Sequence, residues 1–295
     1  GSEMCIRDRP SPLQRDRVKA MTGPRDPIPP AEHGAKLRDL PPPPPLRLAR
    51  RGQGASTVPP PALFLDFDGT LVDIADHPDA VIVPPDLPAV LATVAARLGG
   101  RLAIVTGRSI AALEALLGPL SVSVAGSHGG EFRPAGEATL ALADPLPACA
   151  VQRLKAFAQD NGGLLVEPKP YSIAVHYRHH PEARDRLLAL AGEVSADLNL
   201  RLKHGKRVVE LAMPGSDKGS AVTRFMQAAP FAGSQALFFG DDVTDEDAFS
   251  AIPRCGGSGV LVGPMRPTAA HWRLDGVASV HHWLASALTK ETPPA

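Results

Sequence analysis

Two carboxylates, Asp66 and Asp68, close the apolar run Ala62–Leu65 and stand just ahead of Gly69 and Thr70. An apolar run that stops near a Gly reads as a buried strand meeting a loop. Strand side chains repeat every two residues, so the spacing predicts that both acids point the same way at the strand's end. Like charges placed side by side repel, and one takes up a proton unless a partner relieves the conflict. A hard cation such as Mg²⁺, which prefers oxygen ligands, would relieve it. The plainer alternative is a strand followed by an Asp-Gly turn.

Further polar groups recur where apolar runs end. Thr106, Gly107 and Arg108 follow Arg101–Val105. The loop from Gly126 to Glu131 follows Ser121–Ala125, and the acidic run from Asp241 to Asp247 follows Ala236–Phe239 and Gly240. Lys218 stands at the start of a helical pattern built on Ala221, Val222, Phe225 and Met226. Each has a plain reading too. Thr106 and Gly107 make an ordinary strand-to-helix turn, and Lys218 a solvated helix start. The acidic run makes a helix N-terminus capped by Thr244, with Asp247 as capping-box partner. Their order and their position after strands favour a shared site.

The elements that must hold these groups are legible by period. Leu87, Val90, Leu91, Val94 and Leu98 form a helical stripe stopped by Gly99 and Gly100. Ser109 can cap a second helix through Ile110, Leu113, Leu116 and Leu117, ended by Gly118 and Pro119. Alternating strands and helices predict a Rossmann-like parallel α/β sheet with its active loops at the strands' C-terminal ends. Between Phe132 and Leu211 the character changes. Helices fit 147–159 and 181–198, the second opened by Pro181. Tyr171, Ile173, Val175 and Tyr177 share one face of a strand, with Ser172, Ala174, His176 and Arg178 on the other. A strand over 207–211 sets Glu210 opposite Val209 and Leu211. We expect an α+β cap at 132–211 inserted into a core at 61–131 and 212–290, which closes with a strand at 259–262 and a helix at 281–288.

The chain has 295 residues, enough for about two domains. Its 31 basic and 31 acidic residues balance, so total charge points to neither nucleic acid nor an anionic membrane. Three cysteines, Cys5, Cys149 and Cys255, show no paired spacing, and the ten histidines show no zinc-site spacing. With no apolar run long enough to span a bilayer and no signal-peptide pattern, a cytoplasmic location is expected. Residues 1–60 are Pro-rich, with the run Pro41–Pro45 and the basic cluster Arg47, Arg50 and Arg51, and read as a disordered or polyproline leader. Met4–Arg9 back-translates into what looks like a sequencing-adapter end, so the start is expected nearer Met21.

From residue 62 to about 288 the chain resembles the trehalose-6-phosphate phosphatase family, within the haloacid-dehalogenase-like superfamily. The strings are LDFDGTL, VTGR, DKGSAV and FFGDDVTDEDAF, with SHGGEFR, EPKPYSIAVHYR and GKRVVELAMPGSDKG between and before them. Ser127 precedes His128 where that pattern leads one to expect Asn. The resemblance implies a cap closing on the sugar, Mg²⁺ dependence, and release of trehalose and phosphate from trehalose 6-phosphate. It implies Asp66 as nucleophile, Asp68 as acid/base, Thr106 as donor to a phosphoryl oxygen and Lys218 as a source of positive charge. Mg²⁺ would be held by Asp66, the backbone carbonyl of Asp68 and Asp241, with Asp242 and Asp245 as alternative or outer partners. Substrate contacts would come from Arg108, Glu131, Lys169, His176, Arg178 and Glu210.

Other outcomes compatible with these strings are a phosphatase for sucrose phosphate or mannosyl-phosphoglycerate, a phosphoryl-transferring mutase, and an inactive regulatory module. Intact Asp66, Asp68, Thr106, Lys218 and Asp241 argue against the last. Association with a trehalose-6-phosphate synthase is not readable from the residues.

Overall fold

The structure, a computed structural model, describes residues 39–46, 60–75, 77, 80–142, 144–205, 207–215 and 217–289. The expectations for Met4–Arg9, Met21 and the basic cluster Arg47, Arg50 and Arg51 lie outside the described residues.

The large sheet takes its first three strands from the N-terminal half: β1 (Pro61–Leu65), β2 (Leu102–Val105) and β3 (Ser123–Gly126). Helices α1 (Leu87–Arg97) and α2 (Ile110–Leu117) connect them. The hairpin strands β4 (Glu131–Arg133) and β5 (Leu140–Ala141) extend this half. The cap follows as α3 (Ala148–Asp160), β6 (Leu165–Pro168), β7 (Ser172–His176), α4 (Arg184–Leu198), β8 (Arg201–Gly205) and β9 (Val208–Ala212). The second half of the core is α5 (Lys218–Met226), β10 (Gln235–Gly240), α6 (Glu246–Ala251), β11 (Ser258–Val262), β12 (Trp272–Leu274) and α7 (Val277–Thr289).

The eight-stranded sheet runs β12-β11-β10-β1-β2-β3-β4-β5, parallel except at β4 and β5. Successive strands step outward in one direction from β1 and in the other from β10. The order therefore reverses between those two strands, and ligands of open α/β sheets sit at such a switch point. The period of two explains the sandwich. Leu63 and Leu65 pack with α1, α2 and α7 on one face, while Ala62 and Phe64 pack with α5 and α6 on the other. Ser109 caps α2 as expected, its hydroxyl accepting from Ala112 N–H at 3.1 Å, a contact worth about 1 kcal/mol.

The cap is a four-stranded antiparallel sheet in the order β6-β7-β9-β8. Ile173, Val175, Tyr177, Val209 and Leu211 bury against α3 and α4. The opposite face carries Ser172, Ala174 and Glu210, all buried although that face was expected to be polar.

Three boundaries are corrected. The expected cap start at 132 falls inside β4, which pairs with β3 in the large sheet; cap elements begin at Ala148. Helix α4 begins at Arg184, with Pro181–Ala183 wound as a tighter turn before it. The leader is not unstructured throughout. Residues 39–46 lie against the core, with Pro43 and Leu46 buried, because Leu46 finds the cluster beneath α1 and α7.

Candidate active site

Asp66 follows β1 directly and Asp241 follows β10 directly, on the two strands that flank the switch point. Asp66 is held by its own backbone, its N–H donating to Phe239 O at 2.9 Å. Its Oδ1 lies 2.8 Å from Lys218 Nζ, and the same ammonium donates to Asp245 Oδ1 at 2.7 Å. Lys218 is 2% exposed and Asp245 wholly buried. Burial acts to lower the lysine pKa, but the Asp245 and Asp66 carboxylates outweigh it and hold it above the ordinary lysine range. The Asp66 carboxyl is pushed well above its usual value by burial first, then by Asp245 and Asp241, with Lys218 opposing.

Oxygens of Asp66, Asp241 and Asp245 all lie within 4.8 Å of one another. Three acids face one ammonium here, and a divalent cation fits that imbalance. The donor set and the burial of Asp66 are suited to it. Asp245 has other duties: Oδ1 takes Lys218, and Oδ2 accepts from Asp242 N–H at 2.9 Å. That second bond is half of a capping box made by Asp242 and Asp245. The expected cap at Thr244 with Asp247 is thus replaced by one two residues earlier, where an Asx side chain reaches the N3 amide. Asp68 is not in the three-acid cluster.

Two glycines make the cluster possible. Gly69 has φ of +80°, and a Cβ there would collide with the Asp241 carboxylate. A Cβ on Gly240 would collide with Asp245.

Asp68 turns to Arg108 instead. Its two oxygens accept from Nε and Nη2, both at 2.7 Å, and the guanidinium sits 5.6 Å from the Phe67 ring centroid. Arg108, expected to contact substrate, therefore grips Asp68 in this structure. Thr106 is fully buried, and its Oγ1 accepts from Arg108 N–H at 3.1 Å, which leaves its hydroxyl hydrogen to donate elsewhere. Glu131, also expected at the substrate, uses Oε2 to accept from Ile110 N–H at 2.6 Å. A carboxylate at a helix N-terminus is favourable, so this is a position with a structural reason of its own.

In the cap, Lys169 Nζ lies 3.6 Å from Glu167 and 3.9 Å from Glu210, and His176 Nε2 lies 3.3 Å from Glu167. Glu210 Oε1 accepts from Ser172 Oγ at 2.7 Å, while Oε2 meets His128 Nε2 of the core at 3.4 Å. Burial lowers the His128 pKa, so the ring is neutral at pH 7. Burial acts to raise Glu210, but His128, Lys169 and Ser172 together hold it well below the usual carboxylate range. With His128 neutral, the Lys169 charge and the two hydrogen bonds keep Glu210 ionised. Arg178 lies beyond the end of β7 and is exposed. Lys203 to Asp247 at 3.1 Å and Arg201 to Asp217 at 2.7 Å are further ion pairs from cap to core.

A cleft of about 290 Å³ lies between β8, β9 and the acidic loop, lined among others by Lys203, Glu210, Asp242 and Thr244. A larger cavity of about 570 Å³ opens on the flank of α5 and α6 beside Arg201, Arg224 and Arg254. Neither is lined by Asp66 or Asp241; the smaller cleft is the one that reaches the acidic loop and Glu210.

Three contributors escaped the sequence reading. Glu167 bridges Lys169 and His176, and the EPKP string offered a signal for it. His128, with φ of +56°, joins core to cap. Arg266 donates to the backbone oxygens of Asp241 at 3.2 Å and Asp242 at 2.7 Å and pairs with Glu246, so it fixes the acidic loop from outside. Nothing in its local sequence marks that contact.

A parallel sheet with helices on both faces, an inserted antiparallel cap and acids at the switch point define a haloacid-dehalogenase-like fold. The fold is shared with a haloacid dehalogenase-like hydrolase from Bacteroides thetaiotaomicron, with a TM-score of 0.54 at 16% identity over 76% of this chain and 98% of that one. It is shared with the C-terminal domain of the C. albicans trehalose-6-phosphate phosphatase, with a TM-score of 0.68 at 22% identity over 77% and 92%. The trehalose-phosphatase family profile matches residues 64–278. The trehalose-6-phosphate phosphatase of Escherichia coli (strain K12) is 38% identical over 231 residues, 77% of this chain and 86% of that protein. A probable trehalose-phosphate phosphatase of Sinorhizobium fredii is 41% identical over 215 residues, 70% and 80% respectively. The chain belongs to the trehalose-phosphatase family. Among the described residues no helix is long and apolar enough to cross a membrane.

Proposed function

We propose that this protein hydrolyses trehalose 6-phosphate to trehalose and phosphate through an aspartyl-phosphate at Asp66, with Mg²⁺ as its cation. The observation that carries the reading is the joint placement of Asp66, Lys218, Asp245 and Asp241 at the switch point. An Asp66 oxygen bonds to phosphorus as the bond from phosphorus to the sugar oxygen breaks, and Asp68 gives that oxygen its proton. Asp68 then takes a proton from water as the water oxygen bonds to phosphorus and the bond to Asp66 breaks. For either transfer, at least one of the two Arg108 bonds to Asp68 must exchange. Thr106 donates its hydroxyl hydrogen to a phosphoryl oxygen, and Lys218 offsets the negative charge gathered on Asp66 and the phosphoryl group.

Asp66 and Asp241 are the side chains proposed to hold Mg²⁺, with the Asp68 carbonyl, while Asp242 and Asp245 shape the loop around it. When bound, the ion neutralises phosphoryl oxygen charge that would otherwise repel the Asp66 carboxylate. Glu167, Lys169, His176 and Glu210 supply donors and acceptors suited to sugar hydroxyls. Arg108 and Glu131 act from beneath, on Asp68 and on α2. Arg178, exposed past the end of β7, is proposed only for the cleft's rim. The cytoplasm is the proposed location, on the lack of paired cysteine spacing.

The test is phosphate release from a panel of sugar phosphates with and without Mg²⁺. Preference for trehalose 6-phosphate, lost on chelation, is expected. A stronger preference for sucrose phosphate or mannosyl-phosphoglycerate would overturn the substrate assignment.

A further inference from the structure

Five consecutive prolines fix φ near −65° at each, and each residue before a proline is pushed toward extended backbone, so Pro41–Pro45 can adopt little but polyproline II. That helix repeats every three residues, and the contacts follow the period. Leu40 packs on the cluster under α5 and α6, while Pro43 and Leu46 are buried. The carbonyls three apart at Pro41 and Pro44 are both used. Pro41 O accepts from Arg273 N–H at 2.9 Å, and Pro44 O accepts from the Trp283 indole N–H at 3.1 Å. Asp39 adds an ion pair to the Arg273 guanidinium at 3.1 Å.

The location gives these contacts a purpose. Strand β12 ends the eight-stranded sheet, and a bare edge offers backbone donors to any passing strand. The Arg273 amide is such a donor, and here it is taken by a segment whose prolines cannot continue the ladder. Trp283 is 7% exposed, its ring tilted against Phe239 with the centroids 4.8 Å apart and its N–H turned toward the proline segment. Proline-rich segments are recognised generally by grooves that carry aromatic side chains and match the period of three, and here the Trp283 indole supplies the donor.

We propose that β12 and α7 form a polyproline-binding groove, which this chain fills with its own residues 39–46 to close the open edge of its main sheet. The groove contains none of the proposed phosphatase residues, so the proposal does not rest on the assigned reaction.

The test replaces Pro41–Pro45 by Gly and Ser in the full chain. The expected results are an unfolding temperature lower by about 3–6 °C, red-shifted emission from the two tryptophans, and self-association that grows with protein concentration. A peptide of residues 39–46 added in trans restores the emission and suppresses the association, while phosphate release by the folded fraction is unchanged. A second variant, Trp283→Phe placed in the proline variant, removes only the indole donor and is expected to raise about 5-fold the peptide concentration needed to suppress the association. Unchanged unfolding temperature, emission and mass in the proline variant would overturn the proposal. So would a peptide that fails to act in trans on a folded variant.

Discussion

The core site and the cap face both set carboxylates beside a lysine, and they do it in opposite ways. In the core, Lys218 touches Asp66 and Asp245 at 2.8 and 2.7 Å with all three buried. In the cap, Lys169 stands 3.6 and 3.9 Å from Glu167 and Glu210, and Lys169, Glu167 and His176 keep some exposure. Short buried contacts preorganise charge where it must act on a reacting phosphoryl group. Longer, part-hydrated contacts can be exchanged for ligand hydroxyls at low cost. On the proposed function, the difference separates the part that reacts from the part that recognises, and each prediction below acts on one side of it.

The largest expected effect is in the core. Asp66→Asn removes the proposed nucleophile and is expected to cut phosphate release by on the order of 10⁴-fold or more. Wild-type turnover in that variant would remove Asp66 from the chemistry. Lys218→Met comes next. It leaves two buried carboxylates facing each other, so activity is lost and stability falls by about 3–5 kcal/mol, read by urea unfolding. A loss under 1 kcal/mol would mean that the lysine is not the charge that holds this cluster together.

Gly69→Ala should fold yet misplace Asp241, since the added methyl occupies the space of that carboxylate. We expect activity to drop about 100-fold with weaker Mg²⁺ dependence, and unchanged kinetics would contradict the close approach. In the cap, Glu210→Gln should raise KM about 10-fold while kcat changes less. An equal loss in kcat alone would move Glu210 to the reacting side of the comparison.

The smallest effect is on pH. His128 is buried and faces Glu210, Lys169 and Lys203, and its folded pKa lies below the usual 6.5. The unfolded chain therefore binds more protons near and below pH 6.5, and stability is lost as pH falls through that range. Glu210, with its folded pKa depressed, adds stability present above 4.5 and lost as pH falls through its folded value. Both slopes run the same way. His128→Asn should flatten the dependence near pH 6, as measured by thermal unfolding; an unaltered slope would show that another group titrates there.

Much of the core was legible because its signals are local. Leu63–Asp66, the stripe of α1 and the Ser109 cap each depend on period or on neighbours within a turn. The burial of Tyr171, Ile173, Val175 and Tyr177 was likewise written in alternation. β6 and β8 were not found, since LVEP and RLKHG are short outer strands of mixed polarity with no buried face to impose a pattern. The loop acids were found, but several of their contacts were not. That Asp68 turns to Arg108, that Asp245 ties Lys218 to the Asp242 amide, and that Arg266 grips the same loop are contacts made across the fold. Residues 39–46 show the converse error. Composition suggested a loose leader, yet a proline run loses little entropy on docking, and two leucines three residues to either side of Pro43 anchor it.

The most direct test of the account is capture of the covalent intermediate. Enzyme mixed with labelled trehalose 6-phosphate and Mg²⁺ is quenched in acid within one turnover, reduced with borohydride, and digested for mass spectrometry. The account predicts homoserine in place of Asp66 and none at that position in Asp66→Asn. Rapid phosphate release with no modification at position 66, or with the modification on another side chain, would contradict it.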